Sequence, residues 1–301
     1  MITRHRIFLL IFLTAFSFSL RSQEHLTLLS MEDSLVSIQR KFSKADNDSV
    51  RELLKNHFRN TMITAIGLPG SITYPFDSLK KMAKLTSPDG MFRIYNWNIP
   101  MSGSTNQYFC FLQIRSKENK NKFTILELRD RSDSIPDPEH SILYCNNWYG
   151  ALYFEIIPER SENGTIYTLL GWEGKNLSEM QKIIEIMTFN DKNLPLFGKK
   201  IFNKYKDGGN LRVIFKYSPL ATMTLRYEKQ ALPKGKKWNA KRRVFEESYS
   251  KASLIVCDRL VPVDAVEGKG PVLAPAGDVY DGFLFENSCW NFMEGVDARN
   301  R

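Results

Sequence analysis

Three aspartates near the end of the chain are the side chains best suited by type to catalysis. Asp278 and Asp281 lie in the segment GDVYDGFLFE, and Asp258 lies upstream of it. Two carboxylates held a few ångströms apart can hydrolyse a glycosidic bond, and several can bind calcium. Their spacing matches neither kind of site, and aspartates that cap turns are the structural alternative. The sequence therefore offers these three residues as binding candidates and assigns no catalytic residue.

A glycine-rich stretch from Gly171 to Lys175, GWEGK, has the composition of a phosphate-binding loop. Such a loop needs four residues between its first glycine and the Gly-Lys pair, followed by Ser or Thr. Here only two residues intervene, and Asn176 follows the lysine. We therefore predict a joint between a strand and a helix. Ser178 and Gln181 would form a capping box for a helix over 178–189.

Other catalytic and metal-binding patterns are missing from the sequence. It contains no Gly-x-Ser-x-Gly, no Cys-x-x-Cys and only three histidines after residue 22. We therefore predict no metal site and no cofactor. Buried thiols and disulfides are both open for the four cysteines, each of which lies in an apolar run: Cys110, Cys145, Cys257 and Cys289.

The net charge of +9 is concentrated in two short parts of the chain. The first 22 residues hold three of the 42 basic residues and no acid, which leaves 39 basic against 33 acidic residues. Seven of those 39 lie in KQALPKGKKWNAKRR, from Lys229 to Arg243, which contains no acid. Without this stretch 32 basic residues face 33 acidic ones, so the charge does not indicate nucleic-acid binding.

The basic stretch over 229–243 is the main candidate for a binding surface. A mobile, solvated loop is its structural interpretation. Its functional interpretation is attachment to an anionic envelope surface, either lipid headgroups or an acidic glycan, with the aromatic ring inserted at the interface. The candidate contacts are Lys236, Lys237, Trp238, Arg242 and Arg243.

The N-terminus has the layout of a secretory signal peptide. Arg4 and Arg6 precede an uncharged apolar run over 7–20, and polar residues return at Arg21. A run of about 14 apolar residues is short for the roughly 20 that span a bilayer. We therefore predict that residues 1–22 are removed and that the protein is exported to the periplasm or cell surface, with no further membrane span.

Hydrophobic periodicity divides the remaining chain into a helical part and a β-rich part. Apolar residues recur at helical spacing over 31–42 and 50–62. From residue 92 the period changes to two, and short turn-like spacers predict antiparallel neighbours. Residues 211–217 and 221–227 form the clearest predicted hairpin. Five aromatic residues at strand positions are expected in the core rather than in a cleft: Trp97, Trp148, Tyr149, Trp172 and Trp290.

Eight short phrases of the sequence carry a resemblance to known sequences. They are SPDGMFRI, WYGALY, YTLLGW, KIIE, PLFG, RVIFKYS, IVCDRLVP and YDGF, in that order. Together, over roughly residues 75–300, they resemble a family of uncharacterised exported proteins from gram-negative bacteria. The resemblance implies a compartment and a fold and gives no residue a role. The basic stretch is longer than the family's usual turn, which makes it a candidate insertion.

These observations predict an α+β fold: helices over 23–70, then a β-rich domain over 71–301 that carries the basic loop. The expected architecture is one large twisted antiparallel sheet or partly closed barrel with a helix near 178–189. A propeller-like all-β array is the alternative. The expected function is non-catalytic binding of a ligand or partner in the cell envelope. A glycan hydrolase is one alternative, and an envelope structural protein with a flat surface is the other.

Overall fold

The structure is a computed structural model that describes residues 23–42, 44–45, 47–101, 105–116, 122–162, 164–176, 179–263 and 272–298. These residues form two α-helices followed by fourteen β-strands. The predicted signal peptide over 1–22 lies outside the described residues. The α+β prediction is confirmed in its coarse form, since the fold is mostly β with helices at the N-terminal end.

The two predicted helices are present and pack on the first sheet. Helix α1 spans residues 23–42 and α2 spans Asp48–Gly67, where the side chain of Asn47 caps the first turn by accepting from the Val50 amide. Phe58 and Met62 of α2 are buried, whereas Leu53, which the apolar pattern placed on the same stripe, is 72% exposed. Only the second half of α2 therefore contributes fully to the core.

The strands form three antiparallel meanders in chain order. The first sheet has the order β1-β2-β3-β4, from strands Ala83–Thr86, Phe92–Pro100, Asn106–Arg115 and Phe123–Arg129. The second has the order β10-β7-β6-β5, from strands Leu152–Ser161 (β5), Gly164–Asn176 (β6), Glu179–Phe189 (β7) and Val213–Tyr217 (β10). A short strand β8, Pro195–Phe197, also pairs with β7.

The third sheet has the order β11-β12-β13-β14-β9. Its strands are Leu225–Asn239 (β11), Val244–Val263 (β12), Val272–Glu286 (β13), Cys289–Val296 (β14) and the short Phe202–Asn203 (β9). Among the named strands, only β9 and β14 pair in parallel. The consecutive strands β1 to β4, β5 to β8 and β11 to β14 are neighbours, as the short spacers predict, whereas β10 pairs with the earlier strand β7.

The layers of the fold follow the chain from one end of the molecule to the other. The helices and the first sheet share one apolar cluster, the first and second sheets share another, and the second and third sheets share a third. No sheet closes on itself among the described residues. The structure therefore has three open sheets stacked in a row, not the single large sheet or partly closed barrel expected, and not the ring of a propeller.

The helix predicted over 178–189 is wrong, because residues 179–189 form strand β7. The second sheet is covered on both faces, so β7 buries Ile183 and Met187 toward the first sheet and Ile184 and Ile186 toward the third. A strand buried on both faces loses the alternation of apolar and polar residues, and a continuous apolar run then resembles a buried helix. Ser178, the predicted cap, lies outside the described residues.

The glycine-rich stretch is likewise part of a strand and not a joint to a helix. Strand β6 continues through Gly171 and Gly174, and β7 returns beside it as an antiparallel neighbour. Gly171 lies under the ring of Tyr153, where an added Cβ would come within 3.0 Å of a ring carbon. The glycine is therefore explained by close packing between strands.

The predicted hairpin between 211–217 and 221–227 is also wrong. Strand β10 pairs with β7 in the second sheet, whereas β11 pairs with β12 in the third. Ile214 is buried as well as Val213 and Phe215, so β10 needs cover on both faces. A place in the second sheet, which other sheets cover on both faces, supplies that cover. The chain then crosses to the third sheet after Ser218.

Candidate functional site

The basic stretch is not a loop but part of a hairpin that projects from the third sheet. Strands β11 and β12 pair from Leu225 with Cys257 to Asn239 with Val244. Strand β13 ends at Glu286, opposite the base of this hairpin, so residues 231–251 form a two-stranded ribbon, here called the arm. Nine residues at 3.3 Å each make the arm about 30 Å long.

Proline and glycine made this segment resemble a loop in the sequence. In the structure the strand register shifts between Pro233 and Gly235, so the extra residue forms a bulge. Strand β11 is also the edge strand of its sheet, and its outer side has no neighbouring strand. A proline that faces outward there costs no hydrogen bond of the ladder. At the tip, the Asn239 side chain accepts from the backbone amides of Lys241 and Arg242, which closes the turn.

One face of the arm carries three exposed aromatic side chains. Trp238 is directly opposite Phe245, and their rings meet edge to face at 5.1 Å. Tyr249 lies on the same face by the alternation of the strand. These rings are 51%, 65% and 59% exposed, respectively. Nearer the base, the same face buries Ile255 and Cys257 against the second sheet. By the same alternation, Glu247 lies between Phe245 and Tyr249, and Lys251 and Ser253 separate Tyr249 from the core.

The arm also carries most of the excess positive charge. It holds seven basic residues and two acids: Lys234, Lys236, Lys237, Lys241, Arg242, Arg243 and Lys251 against Glu246 and Glu247. Arg242 contacts Glu246 at 3.1 Å, and Lys236 lies 3.9 Å from Glu247. Exposed pairs of this kind contribute about 0–1 kcal/mol each. Within the described chain the other five basic side chains form no ion pair, so the arm presents free cations.

The structure thus brings together five of the predicted contacts on the arm: Lys236, Lys237, Trp238, Arg242 and Arg243. Their type and position agree with a binding surface. The prediction of a loop is wrong because the aromatic and basic residues lie on paired strands and a tight turn. A two-stranded ribbon fixes the relative positions of these side chains, whereas a mobile loop would leave them variable.

The three aspartates, in contrast, are not gathered into one site. Asp281 accepts from Arg259 at 3.0 Å and from the Gly295 amide at 3.0 Å, and Asp258 accepts from the Thr224 amide at 2.7 Å. In the ladder, Asp281 is paired with Cys257 and faces the second sheet. Asp258 follows Cys257 along β12, so its side chain lies on the opposite face of the third sheet.

The third aspartate, Asp278, is exposed on β13. Asp258 and Asp281 are each buried and bound by the protein itself. These contacts join β13 to β12 and β14, and they join β12 to the residue before β11. Asp258 and Asp281 therefore have structural roles within the third sheet.

A cavity of about 330 Å³ lies between the helices and the first sheet, where the sequence gave no site. Phe42, Phe58 and Trp97 contribute rings to it, and Arg51 and Lys81 contribute cations. These residues are far apart in the chain and meet only when α1 and α2 pack on β2. The sequence placed Trp97 correctly in the core, since it is 4% exposed.

The four cysteines are free thiols in the structure. Burial raises the pKa of the Cys110, Cys145 and Cys257 thiols. Each pKa unit of increase removes about nine-tenths of the reactive thiolate at a pH below the pKa. The buried thiols of Cys110 and Cys257 therefore contribute to packing.

We expect iodoacetamide at pH 8 to alkylate Cys110 and Cys257 at least about tenfold more slowly in the folded protein than in guanidinium. Mass spectrometry of the digested protein measures each site. After unfolding without reductant, all four thiols should react. Recovery of two or no reactive thiols would show that disulfides form instead.

Among the described residues, no cluster of three or more His, Cys, Asp or Glu side chains could hold a metal ion. In the same part of the chain, no helix is both long and apolar enough to cross a membrane. Comparison of the chain with protein-family models, with curated proteins and with solved structures found no match. The functional argument therefore depends on the arm and the cavity themselves.

Proposed function

We propose that this protein is an exported, non-catalytic protein of the cell envelope that attaches to an anionic phospholipid surface through its arm. The observation that carries the proposal is the coincidence of exposed aromatic rings and unpaired cations at one tip. Basic side chains near an anionic membrane contribute about 1 kcal/mol each. Tryptophan and other aromatic rings are favoured at the level of the lipid headgroups.

The charge distribution supports attachment through the arm. Outside the arm, residues 23–301 hold 32 basic and 31 acidic residues. The arm alone has a net charge of +5. Attraction to an anionic surface therefore orients the molecule with the arm toward the membrane.

The aromatic face favours lipid over an acidic glycan. Trp238, Phe245 and Tyr249 lie on one face of an open ribbon, with the Lys236–Glu247 pair between Phe245 and Tyr249. Exposed rings beside cations are the arrangement that places aromatic side chains in the interfacial layer while the charges contact phosphates. The same rings in water leave apolar area exposed, which usually marks an interaction site.

The alternative functions have less support. A structural envelope protein was expected to lack a pocket, whereas this protein has a cavity of about 330 Å³. The hydrolase alternative depended on Asp258, Asp278 and Asp281, of which two bind neighbouring strands and one is exposed. No observation favours either alternative over membrane attachment.

We expect vesicles that contain about one-third anionic lipid with brominated acyl chains to quench the fluorescence of Trp238. Bromine quenches only indole rings that enter the bilayer interface. The other tryptophans are shielded, since Trp97, Trp148 and Trp290 are at most 4% exposed and Trp172 is partly buried. Quenching should disappear in Trp238→Phe, which keeps an aromatic ring against Phe245, while sedimentation with the vesicles persists.

Zwitterionic vesicles with the same brominated acyl chains are the control for charge. They should not quench the fluorescence of Trp238. An acidic polysaccharide added without lipid distinguishes the glycan alternative. Wild-type protein that binds the polysaccharide but shows no quenching with brominated anionic vesicles would overturn the lipid proposal. Equal quenching by anionic and zwitterionic vesicles would overturn the electrostatic part of it.

A further inference from the structure

The cavity beneath the helices has an apolar interior. It lies between the C-terminal end of α1, helix α2 and strand β2. Its apolar lining consists of Phe42 of α1, Phe58 of α2 and Trp97 and Ile99 of β2. The Trp97 ring stacks on Phe109 and meets Phe58 edge to face at 5.1 Å, so packing fixes its position. The volume of about 330 Å³ lies within the usual range for small-molecule sites.

The cavity opens where the first sheet is incomplete. Strand β1 pairs with β2 only from Thr86 with Arg93 to Ala83 with Asn96. Residues 97–100 of β2 therefore have no strand neighbour on that side within the described chain. The helices cover this part of the sheet from above, and the cavity occupies the space beside the strand edge.

Trp97 differs from the other two deeply buried tryptophans. Trp148 donates to the Tyr153 hydroxyl at 2.8 Å and Trp290 donates to Thr168 at 2.9 Å, whereas the indole N–H of Trp97 has no partner among the described residues. That nitrogen is fully enclosed, so Trp97 lines the cavity with its ring and not with its N–H group. The ring therefore offers an apolar contact to a ligand.

The charged residues of the cavity are cationic. Arg51 and Lys81 line it, and no carboxylate is among its described lining residues. Arg51 is partly engaged, since it donates to Asp48 at 3.0 Å and to the Ala45 carbonyl at 3.1 Å. Lys81 is exposed and forms no ion pair within the described chain. The site thus offers positive charge together with an apolar interior.

We infer that this cavity binds a small amphipathic carboxylate, whose apolar acyl or aryl body lies among the aromatic rings. The carboxylate is held at the mouth by Lys81 and Arg51. Charge-assisted hydrogen bonds make such a head group the favoured acceptor over a neutral one. The inference is independent of the arm, which lies on the third sheet, at the other end of the stack of layers.

Indole N–H resonances of the ¹⁵N-labelled full-length mature chain test this inference, with octanoate and 2-naphthoate as the probes. The protein has five tryptophans, and the resonance missing from Trp97→Phe identifies the relevant one. We expect one or both carboxylates to shift the Trp97 resonance saturably and to leave the other four unchanged. 1-Octanol and octylammonium should bind at least about tenfold more weakly, because they lack the anionic acceptor.

Lys81→Met and Lys80→Met form a matched pair of exposed substitutions. Lys81→Met should raise the dissociation constant of the carboxylate about fivefold to tenfold, the usual effect of losing a charge-assisted contact. Lys80→Met should leave it unchanged, since Lys80 is the adjacent lysine and does not line the cavity. Gln39→Trp, which fills the cavity from α1, should abolish binding in a protein whose circular dichroism is that of wild type.

Several outcomes would overturn the inference. One is the absence of any shift of the Trp97 resonance at millimolar octanoate and 2-naphthoate. Another is equal affinity for octanol and octanoate, which would remove the role of the carboxylate. Equal affinities of the Lys81→Met and Lys80→Met variants would show that the mouth of this cavity does not contact the head group.

Discussion

Replacing the seven basic residues of the arm with serine should abolish binding to anionic vesicles and leave the fold intact. At about 1 kcal/mol per basic residue near an anionic surface, the substitutions remove up to about 7 kcal/mol of attraction. The dissociation constant should rise by more than about a hundredfold at low salt. Sedimentation with vesicles at increasing lipid concentration measures this effect, and circular dichroism reports the fold.

The melting temperature should change little because the side chains concerned are exposed. Only two of them form ion pairs, and both pairs are solvated. Binding of the wild type should weaken steeply between about 0.05 and 0.3 M salt, as the screening length falls below about 10 Å. The serine variant should show no salt dependence, since it lacks the cations that salt screens.

A variant with the same net charge provides the matched control. It replaces seven exposed basic residues outside the arm with serine: Lys41, Lys44, Lys80, Lys122, Arg160, Lys192 and Lys200. We expect it to bind vesicles within about threefold of wild type, because only charges near the surface contribute strongly. Equal losses in the two variants would show that net charge, and not the arm, causes binding.

The sequence predicted the elements of the fold better than their arrangement. Alternation identified strands β2, β3 and β4 of the first sheet because the turns and cross-strand aromatic residues are local signals, whereas the short strand β1 was not predicted. It misidentified β7, in which Ile183 and Ile184 are both buried, because covering both faces of a sheet removes the period of two. The assignment of β10 and β11 to different sheets depends on contacts between distant residues and has no local signal.

The candidate sites differ in how far the sequence could reveal them. The arm was visible as a run of basic residues with Trp238, although its strand pairing was not. The cavity was invisible because Phe42, Lys81 and Trp97 are brought together by the packing of α1 and α2. A further feature, the buried pair of Glu185 and Arg212, did leave a signal, since each charged residue lies within or next to an apolar strand segment.

Glu185 and Arg212 form a buried ion pair that joins β7 to the segment before β10. The two side chains are 1% and 0% exposed, and the Arg212 Nε donates to the Glu185 carboxylate at 2.8 Å. Arg212 also donates to the carbonyls of Pro138, Ser141 and Phe197. One guanidinium therefore fixes the irregular chain over 138–141 and the strand β8 to the edge of the second sheet.

Arg212→Met should lower the free energy of unfolding by about 3–5 kcal/mol at neutral pH, measured by urea denaturation. The cause is the carboxylate of Glu185, which stays buried after its counterion is removed. Lys206→Met is the control, since Lys206 contacts Glu139 at 3.0 Å but is 49% exposed. It should cost at most about 1 kcal/mol.

The pH dependence of the Arg212→Met variant separates the charge effect from lost packing. Burial raises the pKa of Glu185 in the native protein, and Arg212 and the Ile186 amide oppose that shift. Without Arg212 the pKa of Glu185 rises further. A carboxyl whose pKa is higher in the folded state than in the unfolded state destabilises the fold as pH rises through its folded pKa. The penalty of Arg212→Met should therefore be smaller at pH 5 than at pH 8.

Glu185→Gln in the Arg212→Met background should remove this pH dependence and recover part of the lost stability. Recovery should be incomplete, because the carbonyls of Pro138, Ser141 and Phe197 still lack the donors that Arg212 supplied. A penalty for Arg212→Met that grows toward acid pH would contradict the role of the buried carboxylate. A loss of less than about 1 kcal/mol would show that this pair does not hold the second sheet to the chain around residue 140.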